Sequence, residues 1–273
     1  MIELLTELFS YTFIVRAMIV GVLVSLCSAL LGVTLVLKRY SMIGDGLSHV
    51  GFGTLAIAMS LGLAPLEVSI PVVLLTAFVL LRISENSNIK GDAAIALISS
   101  TALATGVLVI SVTTGMNADV CNYMFGSILA MSRSDVYLSV AVAVSVLILY
   151  VLSYNRIFAV TFDENFARAT GIKAGRYNTL IAIMTAMVIV VGMRMMGAML
   201  ISSLIIFPAL TAMRVFSSFK RVVICSAVLS VACFFVGIIL SFAFSTPAGA
   251  SIVMVNLAAF CLFWVVEKLG LRM

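Results

Sequence analysis

Asp45 and His49 stand four residues apart in the run from Ser41 to Gly53, and His49 is the single histidine of the chain. On a helix that spacing puts a carboxylate and an imidazole on one face. Together they make half of the donor set that a divalent transition metal takes. Gly44, Gly46, Gly51 and Gly53 surround the pair. Glycines there let backbones approach closely and weaken the helix, as in the interrupted helices that line transport pathways. Two plainer roles stay open for the isolated pair: Asp45 as a helix cap, and His49 as a hydrogen-bond donor between helices. Ionisable groups inside a membrane segment are costly and usually face a cavity or a partner.

The remaining polar residues point to less chemistry. Arg16 and Arg194 interrupt apolar stretches and are placed to snorkel toward an interface. Asp119 and Cys121 are read as part of a solvated outer loop, and Glu67, after Ala64-Pro65, as part of a turn. The five cysteines contain no C-x-x-C pair, so neither a disulfide nor a cysteine metal site is expected. The chain has no phosphate-binding G-x-x-x-x-G-K-[ST] loop, no H-E-x-x-H helix and no G-x-S-x-G elbow, and nothing argues for an enzyme.

What must position the pair follows from composition. Of 273 residues, 63% are hydrophobic and only 10% charged, and the mean hydropathy is +1.28. Soluble domains carry roughly 25% charged residues, so this chain cannot cover itself in water. Its continuous apolar runs approach the ~20 residues that cross a ~30 Å hydrocarbon core as a helix. They fall at Phe13–Leu37, Gly46–Leu63, Val68–Leu81, Ala93–Thr113, Val136–Leu152, Tyr177–Met193, Met195–Met213, Val222–Phe244 and Ala250–Val266. The expected fold is therefore all-α, a polytopic transmembrane bundle of about eight or nine spans. Eight would result if two short pieces were halves of one broken helix. One domain covers residues 1–273. Glu3 and Glu7, with no early Lys or Arg, argue against a cleaved signal peptide.

Basic residues set the expected sidedness. Lys38, Arg39, Arg82, Lys90, Arg156, Arg168, Lys173, Arg176, Arg214, Lys220, Arg221, Lys268 and Arg272 all fall on one side if the spans alternate. That side is expected to be cytoplasmic, with the N-terminus outside and the C-terminus inside. The net charge of +5 thus reads as orientation, and no nucleic-acid partner is expected. Asp119–Met131 is apolar but too short to cross, which suggests a re-entrant or interfacial outer helix. Phe162–Gly171 is polar and helix-compatible, suited either to the membrane surface or to a partner's groove.

From Lys38 to His49 the sequence resembles the signature of permease subunits from zinc and manganese ATP-binding-cassette importers. Those subunits read basic-basic-x-Ser-x-x-Gly-Asp-small-Leu-Ser-His at this point. Further likenesses run in order: Tyr123–Ala130 with Ser132–Asp135, Phe162-Asp163 with Phe166–Ile172, Gly197–Leu200 with Pro208-Ala209, and Thr246–Ala250. The resemblance implies a permease in the plasma or inner membrane that imports a divalent transition metal; the imidazole makes zinc the first expectation, manganese the second and ferrous iron the third. It implies a homodimer set in membrane lipid, cytoplasmic ATPase subunits that hydrolyse ATP in its place, and an extracytoplasmic metal-binding receptor. The ion is cargo rather than a permanently bound cofactor. Asp45 and His49 occupy the family's metal-coordinating positions, and two copies of the pair would supply four ligands. Asp163, Arg168 and Gly171 fall in its cytoplasmic coupling helix. The chain departs from the pattern at Asn165, where many relatives carry Glu; here Glu164 stands one position earlier. A proton-coupled carrier working without an ATPase would explain the spans and the ionisable pair but not this polar segment. A structural or regulatory membrane subunit with no pathway would leave the pair insensitive to substitution.

Overall fold

An apolar run in lipid has no water to satisfy its peptide groups, and coiling into a helix satisfies them within the run itself. The computed structural model describes residues 12–86, 91–113 and 133–270, and all regular structure in them is helical. In chain order the helices are α1 (Thr12–Leu37), α2 (Ser41–Ser60), α3 (Pro65–Asn86), α4 (Gly91–Thr113) and α5 (Arg133–Phe162). They continue as α6 (Glu164–Ala169), α7 (Ala174–Met196), α8 (Ala198–Val215), α9 (Phe219–Phe244) and α10 (Ala248–Lys268). Seven are long and apolar enough to cross a membrane. The other two long helices are α2, diluted by serines, glycines, Asp45 and His49, and α8, whose apolar part is the shorter Leu200–Val215. Seven of the nine apolar segments lie within one long helix each; Gly46–Leu63 runs past the end of α2 at Ser60, and Met195–Met213 begins on the last turn of α7 and crosses Gly197 into α8. α6 lies in the polar stretch 162–171. The outer segment Asp119–Met131 lies outside the described residues.

α2 and α3, and α7 and α8, are each separate helices packed side by side. Between α2 and α3, Thr54 Oγ1 donates to Ser69 Oγ at 3.1 Å, side by side across the Leu61–Ala64 turn. Between α7 and α8 the junction is Gly197 alone, at φ 88° and ψ 156°, a region open essentially only to glycine. The chain folds back there so sharply that a Cβ on Gly192 would meet the Ile201 side chain.

Burial separates posts from walls. α1 and α7 each bury 67% of their apolar window, against 22% for α4 and α5 and 17% for α10. The exposed sides carry Leu97, Leu108, Val112, Leu152 and Leu262, faces suited to lipid rather than water. α1 is joined to α9 by Ser226 Oγ and Ser230 Oγ, which donate to the carbonyls of Ala29 (3.3 Å) and Ser25 (2.9 Å). Gly32 of α1 lies directly against the backbone of Ile205 in α8. Small residues and short hydroxyls at such contacts are how helices associate where no water drives them together.

One end of the bundle gathers basic residues and aromatic rings. Arg214 Nη1 meets Glu267 Oε2 at 2.7 Å, tying α8 to α10. Arg156 Nη1 donates to Tyr177 Oη at 2.7 Å, and the rings of Phe158 (tilted) and Phe162 (edge-on) pack against Phe219.

The α2–α4 contact yields a test. A Cβ on Gly53 would lie 2.6 Å from the Ala102 carbonyl oxygen, whereas one on Gly175 would meet nothing within 4 Å. Gly53→Ala should cost about 1–3 kcal/mol of stability, seen as a lower thermal midpoint of the detergent-purified protein. Gly175→Ala should leave the midpoint unchanged or slightly raised. Equal midpoints for the two variants would refute the close approach.

Candidate functional site

α2 begins at Ser41, five residues before its apolar segment, so Asp45 lies inside the helix rather than at its cap. Tyr40 holds the N-cap position and makes no side-chain capping bond. His49 Nε2 is 3.6 Å from Asp45 Oδ2, on one face as the spacing required but too far for a hydrogen bond. Asp45 is 40% exposed and His49 16%. His49 Nδ1 is buried and has no hydrogen-bond partner among the described residues. Asp45 thus does not cap α2, and among the described residues His49 makes no hydrogen bond to another helix.

The glycines close the rest of α2. A Cβ on Gly46 would strike Ile95 of α4, and one on Gly51 would strike Met193 of α7; Gly44 faces Ile205 of α8. Ser48 Oγ donates to the Asp45 carbonyl at 2.7 Å and lies 3.5 Å from Ser202 Oγ on α8. What remains open on the first turns, beside Ser41 at the helix start, is a stripe of Met42, Asp45 and His49. Among the described residues no group of three or more His, Cys, Asp or Glu side chains comes together. One chain therefore offers two donors on this stripe, short of the four a tetrahedral site takes.

The second cluster centres on α6. Asp163 is its N-cap, with Oδ1 accepting from the Phe166 N–H at 2.9 Å. Gly171, at φ 87°, ends the helix: its N–H reaches the Arg168 carbonyl (3.1 Å) and that of Ile172 the Ala167 carbonyl (2.9 Å), a Schellman closure. Arg168 is 62% exposed and donates to Glu164 Oε1 at 2.6 Å. Glu164 also accepts from Asn178 Nδ2 (3.2 Å) and lies 3.4 Å from Lys38 Nζ, which donates to Asn178 Oδ1 at 2.7 Å. Beside α6 an open groove of about 800 Å³ is lined by Arg82, Arg168, Lys173 and Arg176. The structure thus separates the five residues singled out from sequence into two places, Asp45 with His49 on α2 and Asp163, Arg168 and Gly171 around α6.

A family model described as the ABC 3 transport family matches residues 10–267. The chain belongs to that family. It is similar to the manganese import system permease protein ScaB of Streptococcus gordonii, 29% identical over 97% of this chain and 96% of ScaB. It is similar as well to the high-affinity zinc uptake system membrane protein ZnuB of Haemophilus influenzae, 28% identical over 90% of this chain and 94% of ZnuB. A solved structure of PsaBC from Streptococcus pneumoniae in complex with Fab superposes with a TM-score of 0.86 at 29% identity, covering 97% of this chain and 95% of that one.

In this ABC 3 family chain, sequence reading found the α2 pair and the α6 segment but missed Lys38 and Asn178, and it did not see that Glu164 joins them. The available signal was Glu164 next to Asn165 at the start of the polar stretch. On an α-helix one residue turns a side chain by about 100°, so the carboxylate at 164 and the amide at 165 point different ways. Asn165 is exposed and Glu164 half-buried.

Partial burial works to raise the Glu164 carboxyl, but hydrogen bonds from Arg168 and Asn178 and the charge of Lys38 outweigh it, and the group sits below its ordinary 4.5. A carboxylate depressed in the folded state stabilises the fold above its unfolded value and loses that contribution as pH falls through the folded one. Wild type should thus melt above Glu164→Gln near neutral pH, and the gap should close as pH drops below 4.5. Thermal melts of both proteins across that range check the sign; a gap that widens on acidification rejects the network as drawn.

Proposed function

We propose that this chain is the permease subunit of an ATP-driven importer of a divalent transition-metal ion. The carrying observation is the pair on the open stripe of α2, two metal-type donors with a buried imidazole nitrogen left unpartnered among the described residues, in a chain of the ABC 3 transport family. The names of ScaB and ZnuB, a manganese permease and a zinc uptake membrane protein, support the cargo class. On this reading the nine long helices each cross the plasma or inner membrane within one permease domain, residues 1–273. The N-terminus is outside, and the basic end and the C-terminus are cytoplasmic.

Two copies face their α2 stripes toward a shared pathway, so that Asp45 and His49 from each supply four ligands. An extracytoplasmic receptor delivers the ion. Separate ATPase subunits dock at α6, against the basic groove, with Asp163 and Gly171 fixing the ends of that helix and Arg168 presenting a donor. The chain itself hydrolyses nothing and keeps no resident cofactor. A mixed carboxylate–imidazole set suits zinc, manganese and ferrous iron, binding firmly enough to strip water and loosely enough to release. No observation favours a carrier that works without an ATPase.

Asp45→Ala and His49→Ala should each lower ATP-driven metal uptake by at least about 10–100-fold while membrane insertion and ATPase assembly stay intact. Radiometal uptake in vesicles, beside co-purification of the ATPase, reads both. Normal uptake in the two variants would remove the pair from the mechanism. Growth rescue of a deletion strain under zinc, manganese or iron limitation identifies the cargo.

A further inference from the structure

Lys38 lies between α1 and α2 in a turn only three residues long, Lys38 to Tyr40. Its side chain is 8% exposed, so its charge is held almost entirely by protein groups. Among those groups are two from other elements: Glu164, the first residue of α6, at 3.4 Å, and Asn178 of α7 at 2.7 Å. Asn178, itself 3% exposed, closes the triangle by donating to Glu164 at 3.2 Å.

The turn has no slack. Arg39 sits in the left-handed region at φ 61°, uncommon for a residue with a side chain. The Tyr40 N–H is bonded back to the Leu35 carbonyl at 2.8 Å, and the Ile43 N–H to that of Tyr40 at 3.0 Å. A pull on Lys38 is therefore passed to the start of α2, within whose first turns Asp45 and His49 lie. α6 rests its apolar face, Ala167, on Val160, Ala174 and their neighbours in α5 and α7, and reaches toward the α1–α2 turn through Glu164.

We propose that Lys38, Glu164 and Asn178 form a clamp that transmits movement of α6 to the start of α2, and so sets the position of the Asp45–His49 pair. These are positioning residues: none belongs to the α2 stripe. The clamp rests on the permease reading above, because it assumes that an ATPase moves α6. A carboxylate at 165 would point away from Lys38; at 164 it is turned inward to serve the link. The coupling contact of this chain is then internal, while the groove lined by Arg82, Lys173 and Arg176 stays free to meet an acidic surface of the ATPase.

The test uses the complete transporter, this chain with its ATPase and receptor, in proteoliposomes, and counts ions imported per ATP hydrolysed. Glu164→Gln should lower that ratio at least about fivefold, the lower range of typical coupling factors, while basal ATP hydrolysis and co-purification of the ATPase stay at wild-type levels. Lys38→Met/Glu164→Met leaves no buried charge unpaired, so it serves where the single change impairs folding, and it should show the same loss. Because both residues act in one link, Lys38→Met added to Glu164→Gln should lower the ratio no further. A wild-type ratio in Glu164→Gln and in the double methionine variant overturns the clamp. So does a fall in uptake that merely tracks a fall in ATPase assembly, since that is a structural role. Absence of ATP-driven uptake by the unsubstituted transporter would instead remove the importer reading itself.

Discussion

α2 is held against its neighbours by contacts that leave no room for side chains. Gly46 and Gly53 face α4, Gly51 faces α7 and Gly44 faces α8, and Ser48 touches a serine of α8 across 3.5 Å. In lipid, van der Waals contact and short hydrogen bonds of this kind are what association rests on, so removing the side chains lets three helices crowd a fourth. The consequence is electrostatic as well as steric. With its other faces sealed by apolar neighbours, α2 can offer its ionisable groups only along the stripe of Met42, Asp45 and His49. A polar group in such surroundings costs several kcal/mol unless something satisfies it, and the buried Nδ1 of His49 has no partner among the described residues.

The same constraint explains why the long helices differ so much in composition. α4, α5 and α10 are mostly exposed and carry leucine and valine outward, whereas α2 is polar for its length and sits among α3, α4, α7 and α8. A helix enclosed by protein is free to hold serine, glycine and a carboxylate, because its surroundings rather than its own side chains meet the lipid. At the basic end the logic reverses. Glu267 and Glu164 are the acidic partners there, each bound to an arginine or lysine, and each joins elements distant in sequence.

Most of the bundle was legible because hydropathy decides which segments can sit in lipid, and seven of the nine apolar segments lie within a single long helix, whereas Met195–Met213 hid the Gly197 junction between α7 and α8. The start of α2 was not. Ser41, Gly44 and Asp45 lower the local hydropathy, but their environment is protein, so the helix runs five residues beyond its apolar signal. The Asp45–His49 contact was readable from helical spacing alone, since both residues lie in one element. The Lys38–Glu164–Asn178 triangle was not, because its members are 126 and 140 residues apart and each looks like an ordinary interfacial polar residue. Glu164 beside Asn165 marked the place only as a polar helix start, and a side chain there has no direction until the helix axis is known.

On the proposed reading, two donors per chain are a functional quantity rather than a deficit. A polypeptide holding all four ligands on its own helices would grip the ion in every state of the transporter. Divided between two copies, the donors make a four-ligand site only while the two α2 stripes stand close, and two weak half-sites once they part. A small relative displacement then changes the coordination number, and with it the affinity, without any rearrangement inside either bundle. The tight glycine packing around α2 suits such a device: it makes the helix a rigid carrier of the pair, so that a displacement imposed at the Lys38 turn arrives at Asp45 and His49 undiminished.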